Sequence, residues 1–250
     1  FYDPDPQRCE AMCEAHGCTA FTGLEQLLDR VDAVSIAAPS SMHLELGKLC
    51  LDRGIHVLME KPLAHSVAGA EALVAQAADT GLVLMVGHVE RYNPAVRTLM
   101  TMLRKTREPI VSIDARRLSP FDGTRCLDVD VLHDLLIHDV DLVLEIAGAP
   151  VSRVSAVGRP VFSQQTDVAH VRMDFANNVT AVFWTAKCSP KKVRTLTVTT
   201  PGQYLEVDTL TRSLTTHTAE QLPAMSDGVC LMGDIRTESV PVPDEEPLWV

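Results

Sequence analysis

Over its first ninety residues or so this chain alternates short apolar runs with segments of helical period, which limits the folds open to it. "EAMCEAHG" reads as a helix closing on Gly17, and "GLEQLLDR" as a second, shorter one. "VDAVSIAA" is an apolar, β-branched run of the kind found in parallel strands buried on both faces. "HLELGKLCLDRG" is a helix ending at Gly54, and "IHVLME" is the next strand. "VAGAEALVAQAADTG" is a long helix ending at Gly81, followed by the strand "LVLMVG". Strands separated by helices of this length make βαβ units and a doubly wound parallel sheet. Phe1 and Tyr2 read as the end of an earlier strand.

The pattern changes after about residue 108. "IVSIDARRL" is a strand, and "LDVDVLHDLLIHDVDLVLEIAG" carries one amphipathic helix ending near Gly148. Six strand-like runs then follow with no helix between them: "RVSAVGRPV", "DVAHVRMDF", "VTAVFWTAK", "VRTLTVTT", "YLEVDTL" and "SLTTHT". Turn signals separate them at Asn177-Asn178 and Pro201-Gly202. The expected fold is therefore α/β followed by α+β. A parallel-sheet domain over residues 1–90 precedes a domain over 91–250, with a large, mainly antiparallel sheet and one covering helix.

The 250 residues carry a formal net charge of −11, which leaves no basic field for nucleic acid or an anionic membrane. An anionic small ligand needs only a few local donors and stays open. No apolar run reaches the roughly 18 to 20 residues of a membrane span, and no secretory signal opens the sequence, so a cytoplasmic protein is the expectation. Seven cysteines are scattered. Cys9 and Cys13 would share one helix face, but no CxxC or histidine partner completes a zinc pattern, so reduced thiols and no metal are expected. The start, "FYDPDPQRCEAM", and the end, "PVPDEEPLWV", read as a chain clipped on both sides.

Ligands of open α/β sheets bind outside the carboxyl ends of the strands. Three polar groups fall at such ends. Asp3 could accept hydrogen bonds from a ribose diol, or could cap the helix starting near Pro6. "APSSMH", residues 38–43, offers Ser40 or Ser41 as an N-cap. Glu60, Lys61 and Pro62 follow "IHVLM" directly, where long charged side chains need a partner or a task. In the second domain Asp134, His138 and Asp141 are spaced i, i+4, i+7 on one helical face. An Asp one turn before a His can fix its tautomer for proton transfer, although the same spacing also suits a solvated face. His133 and Asp139 point elsewhere and read as structural.

Taken in order, "VDAVSIAAPSSMH", "GIHVLMEKPLA", "LMVGHVERYNPAV" and "DLLIHDVD" resemble the Gfo/Idh/MocA oxidoreductases over nearly the whole chain. Their combination of Glu-Lys-Pro with a later D-x3-H-x2-D is specific. "GHVERYNPAV" and "ARRLSPF" look like the branch of UDP-N-acetylglucosamine 3-dehydrogenases and their uronic-acid relatives. The resemblance implies a Rossmann first domain that binds NAD. Lys61 would stand beside the nicotinamide and the substrate hydroxyl, with Pro62 holding the turn through a bond that is often cis and Glu60 lying against the cofactor. His138 would take the hydroxyl proton, with Asp134 and Lys61 positioning and polarising. Asp3 would bind the adenosine ribose and favour NAD over NADP. Ala38, Pro39 and His43 would line the cofactor cleft. The family's glycine-rich turn, which meets the pyrophosphate at a helix N-terminus, is absent from these residues.

For the substrate, Arg91, Tyr92 and Asn93 follow the strand "LVLMVG", and Arg116 and Arg117 follow a strand of the second domain. Arginine forks suit diphosphate, so a nucleotide sugar oxidised at C3 is the expected substrate. Strand alternation lets only one of Arg116 and Arg117 face the site, and pairing with surface carboxylates is the competing reading for all of these arginines. A cyclitol or free-sugar dehydrogenase, or a non-catalytic nucleotide-binding relative, are the alternatives. The apolar positions of "VFWTA" on one sheet face lead us to expect a homodimer or homotetramer through the antiparallel sheet.

Overall fold

A computed structural model describes residues 1–122, 129–219, 225–226, 229–230 and 235–247. The chain divides into two compact units, Phe1–His88 and Val89–Val250.

In the first unit, β1 (Ala33–Ile36), β2 (His56–Met59) and β3 (Leu84–Val86) pair in parallel in the order β1-β2-β3. Four helices accompany them: α1 (Pro6–His16), α2 (Leu24–Leu28), α3 (His43–Asp52) and α4 (Val67–Thr80). Local chemistry sets their ends. The Ser66 hydroxyl accepts the Gly69 N–H at the start of α4, and Gly81, at φ 69°, ends it in the left-handed region. Met59, Leu73, Leu51, Cys50 and Val57 are buried together, so α3 and α4 cover one sheet face. At Gly47 of α3 a Cβ would lie 2.8 Å from a Leu73 methyl, so the two helices pack at a distance only glycine allows.

Three details differ from the sequence reading. The strands alternate instead of being buried on both faces, and Ser35, Leu58 and Met85 lie in register on an exposed side. Phe1 and Tyr2 form no strand; the Phe1 carbonyl accepts the Phe21 N–H instead. Neither Ser40 nor Ser41 caps α3, because Ser40–Met42 form a 3-10 turn held by the Met42 N–H on the Pro39 carbonyl.

The second unit is built on an eight-stranded sheet. Its strands are β4 (Ser112–Leu118), β5 (Val151–Arg159), β6 (Val168–Phe175), β7 (Thr180–Ala186), β8 (Val193–Thr199), β9 (Gln203–Asp208), β10 (Ser213–Ala219) and β13 (Ile235–Val240). A two-stranded ladder of β11 (Met225–Ser226) and β12 (Val229–Cys230) stands apart from it. The order is β13-β10-β9-β8-β4-β7-β6-β5, antiparallel throughout except that β4 and β7 run parallel. That pair joins strands distant in sequence, a pairing that strand pattern alone does not specify. β13 and helix α5 (Pro94–Thr106) were not anticipated from the sequence. α5 starts on Asn93, whose side chain accepts the Ala95 N–H, with Pro94 at the first turn. Together with α6 (Ile137–Ala147) it covers one face of the sheet, burying Ala95, Val96, Leu99, Leu142 and Val143 against Ile113, Ala115, Phe183 and Leu196.

The amphipathic helix read within residues 127–148 corresponds to α6; residues 127–128 lie outside those described. Leu132–Leu136 form a π-turn that leads into α6. Such turns recur at functional sites.

Candidate active site

Because β1, β2 and β3 are parallel, their carboxyl ends share one edge. Beyond the strands the ladder continues: Glu60 donates its N–H to the Ile36 carbonyl at 3.0 Å, and Gly87 donates to the Met59 carbonyl at 2.7 Å. The edge therefore gathers Ala38 and Pro39 after β1, Glu60, Lys61 and Pro62 after β2, and Gly87 after β3. The Lys61–Pro62 peptide is cis. The Glu60 carboxylate lies over Gly87, where a Cβ would approach it to 3.3 Å, so the glycine makes room for the acid.

His43 joins two of these turns from beneath. It is 1 % exposed, with Nδ1 2.7 Å from the Pro62 carbonyl oxygen and Nε2 2.8 Å from the Ala38 carbonyl oxygen. The resemblance placed His43 in the cleft lining; its ring is committed to bracing the turns that hold Ala38 and Lys61. Asp3 is not the helix cap. Asp5 fills that position, accepting the Gln7 and Arg8 N–H groups, while Asp3 accepts the Asp5 N–H at 2.9 Å and lies 3.9 Å from the Arg8 guanidinium.

In the second unit Asp134 pairs with a residue the sequence reading missed: Lys187 Nζ lies 3.1 Å from its Oδ2 and donates to the Val129 carbonyl at 2.7 Å. Lys187 is the charged residue directly after the apolar run of β7, the same signal that singled out Lys61. His138, half-buried, follows in the first turn of α6.

The arginines have carboxylate partners. Arg91 grips Asp141 with Nε and Nη2 at 2.7 and 2.8 Å, and that bond raises its guanidinium above the ordinary arginine value. Arg116 lies on the sheet face away from the helices, 3.0 Å from Asp114. Arg117 is buried on the covered face, donating to Asp139 at 2.9 and 2.8 Å and to Glu90 at 3.0 Å. Burial pushes the Asp139 carboxyl up, with the Arg117 charge opposing it. Asn93 is the α5 cap, and Tyr92 closes the short turn Val89–Tyr92.

A cavity of about 350 Å³ opens at one end of the eight-stranded sheet. The register explains its location: Leu118 is opposite Ala186 and Val193, and Ala186 is opposite Val168, so the residues just past these positions crowd one edge. Ser119 and Phe121 follow β4, Lys187 follows β7, Lys192 and Arg194 flank the start of β8, and Asp167 precedes β6. Asp134 and Leu135 of the π-turn line it as well. Asp167 is 2 % exposed. Burial opposes its charge, but the Val161, Phe162 and Ser163 N–H groups and the Ser163 hydroxyl, all within 2.8 Å, hold its carboxyl down at about 2.

The five cysteines whose side chains are described are free thiols. Burial and the Cys18 sulfur, 3.3 Å away, push Cys13 up to about 11, so it is not a nucleophile at neutral pH.

Comparison with known proteins agrees with this geometry. Residues 1–88 match the family described as an oxidoreductase family with an NAD-binding Rossmann fold, and residues 110–204 match the GFO/IDH/MocA C-terminal domain. The chain is 33% identical to UDP-N-acetylglucosamine 3-dehydrogenase of Acidithiobacillus ferrooxidans over 213 residues, 85% of this chain and 67% of that enzyme. The crystal structure of that enzyme superposes with a TM-score of 0.87, covering 99% of this chain and 76% of its own, at 30% identity. A 67-residue stretch is 49% identical to a 4-carboxy-2-hydroxymuconate-6-semialdehyde dehydrogenase of Sphingobium, covering 27% of this chain and 21% of that one. The WlbA dehydrogenase of Bordetella pertussis, solved with NADH and UDP-GlcNAcA, shares the fold at 18% identity and a TM-score of 0.75, over 83% of this chain and 64% of its own.

Proposed function

This chain belongs to the Gfo/Idh/MocA oxidoreductases, and from that premise we propose that it is an NAD-dependent dehydrogenase oxidising C3 of a UDP-N-acetylhexosamine or its uronic acid. The observation that carries the reading is the Glu60-Lys61-Pro62 turn on the carboxyl edge of the parallel sheet, braced by a buried His43. The residues present suit a nicotinamide dinucleotide. Ala38, Pro39, Glu60 and Pro62 border the sheet edge where such ligands lie, and Gly87 leaves open backbone beside Glu60. A bound NAD would supply the hydride acceptor.

The chain's own residues handle the proton. Lys61 polarises the substrate hydroxyl, and His138 accepts its proton as the carbinol carbon is oxidised. Asp134, held by Lys187, positions that exchange from the π-turn. Asp3 supplies a ribose acceptor whose charge disfavours the 2′-phosphate of NADP. The likeness to the Acidithiobacillus enzyme over most of this chain supports the nucleotide-sugar substrate. The open face of the eight-stranded sheet, with Trp184 and Val182 exposed in β7, serves as the contact with a second copy.

The test is His138→Asn. Cofactor affinity should stay at the wild-type value while turnover falls by roughly two to four powers of ten, the usual worth of a general base. An unchanged rate removes His138 from the reaction.

A further inference from the structure

Arg194 makes no direct ion pair among the described residues. Its guanidinium donates to the Leu118 and Val193 carbonyls and, at 2.7 Å, to the Ser119 hydroxyl, all neutral oxygens. Burial and the like charge of Arg117 work against its charge, and the Asp139, Glu90 and Asp134 carboxylates offset them in part. Arg117 is its direct neighbour across the β4–β8 ladder, and Glu90 and Asp139 are already bound to Arg117. A partly buried cation in that setting favours an anion at its open side.

The rest of the cavity is consistent with this. Of its carboxylates, Asp134 is engaged by Lys187 and Asp167 by the amides of residues 161–163. Asp122 also lines it, and its charge opposes an anion. Lys192, exposed at the rim, makes no ion pair among the described residues. The Phe121 ring, 4.7 Å from that of Phe162, gives one wall an apolar surface. At about 350 Å³ the space suits one end of a nucleotide sugar better than the whole of it.

We propose that this cavity is the anion subsite for the substrate, in which Lys192, Arg194 and the Ser119 hydroxyl take the diphosphate of a nucleotide sugar. The proposal rests on the dehydrogenase reading above for the identity of the substrate, but not for the binding of the anion. The arginines picked out from the sequence, Arg91, Arg116 and Arg117, are held by carboxylates. In Arg194 the fold supplies one whose hydrogen bonds go to neutral oxygens, with Asp139, Glu90 and Asp134 acting on it only at longer range. The same cluster could hold the carboxylate of a uronic acid, so the probes must separate the two sources.

The experiment titrates the full chain with inorganic pyrophosphate, UDP and glucuronic acid by calorimetry, in the wild type and in Lys192→Glu. Lys192 is exposed, so the variant should fold as the wild type does. Pyrophosphate and UDP should bind, and the variant should weaken both by roughly tenfold or more, the worth of one charge-assisted contact. In turnover, KM for the nucleotide sugar should rise by a similar factor with kcat within about twofold, and UDP should compete with that substrate. Unchanged UDP affinity and KM in Lys192→Glu would overturn the subsite while leaving the dehydrogenase reading in place. If the wild type reduced no cofactor with any nucleotide sugar, the substrate reading would fail, and pyrophosphate binding that Lys192→Glu weakens would still uphold the subsite. Loss of glucuronate binding with pyrophosphate unaffected would overturn the diphosphate in favour of a sugar carboxylate.

Discussion

Replacing Asp167 by Asn tests the loop that walls the cavity. The carboxylate accepts three backbone N–H groups on Oδ2, from Val161, Phe162 and Ser163, and the Ser163 hydroxyl on Oδ1. An amide has one acceptor oxygen, so the three N–H contacts can survive, and its NH2 can donate to the Ser163 hydroxyl in reverse, while the charge is lost. The folded carboxyl stands at about 2 against an ordinary value of 3.8. By linkage that depression is worth about 2 kcal/mol at neutral pH. The sign follows from the direction: a lowered carboxyl stabilises above the unfolded value and loses that stability as pH falls through the folded one. Urea unfolding at neutral pH should show Asp167→Asn less stable by about 2 kcal/mol, and the gap should shrink to roughly half by about pH 3. A gap that keeps its full size at the lower pH would show that the charge contributes nothing and that the loop is held by other contacts.

Two further substitutions probe the covered face of the same sheet. Arg117→Met leaves Asp139 and Glu90 buried beside each other without their shared cation, and should cost about 3 to 5 kcal/mol; adding Asp139→Leu and Glu90→Gln should restore most of that, and a single variant within about 1 kcal/mol of wild type in urea unfolding would refute the reasoning. The Thr185 hydroxyl, beside Arg117 in the β4–β7 ladder, is fully buried and makes no hydrogen bond among the described residues. Thr185→Val should therefore raise Tm by about 2 to 4 °C, and a lowered Tm in a thermal scan would mean the hydroxyl has a partner.

Much of the fold is legible in the sequence because its signals are local. The 2.0 and 3.6 periods mark β1 to β10 and most of the helices, and caps such as Ser66 and Gly81 fix where α4 starts and stops. The Glu60-Lys61-Pro62 turn stands out because charge directly follows a buried strand. What escaped the reading is long-range. Parallel pairing of β4 with β7 brings Ser119 beside Lys187, and antiparallel pairing with β8 brings Arg194 beside Arg117. No short window of sequence contains those pairs. The π-turn escaped because its residues are good helix formers, and the switch from an i+4 to an i+5 ladder leaves no mark in the apolar spacing. Arg91 and Arg117 were visible as cations, but their partners Asp141 and Asp139 lie in α6, far along the chain. Lys187 could have been found by the same rule that found Lys61.

The decisive experiment follows nicotinamide reduction by absorbance when the full protein is mixed with NAD and, in turn, UDP-N-acetylglucosamine, its uronic acid, myo-inositol and glucose. Reduction with a UDP-sugar and with neither inositol nor glucose is the predicted result. Reduction with inositol or glucose would contradict the nucleotide-sugar reading, and no reduction with any of the four despite bound NAD would contradict the assignment of this chain as a sugar dehydrogenase.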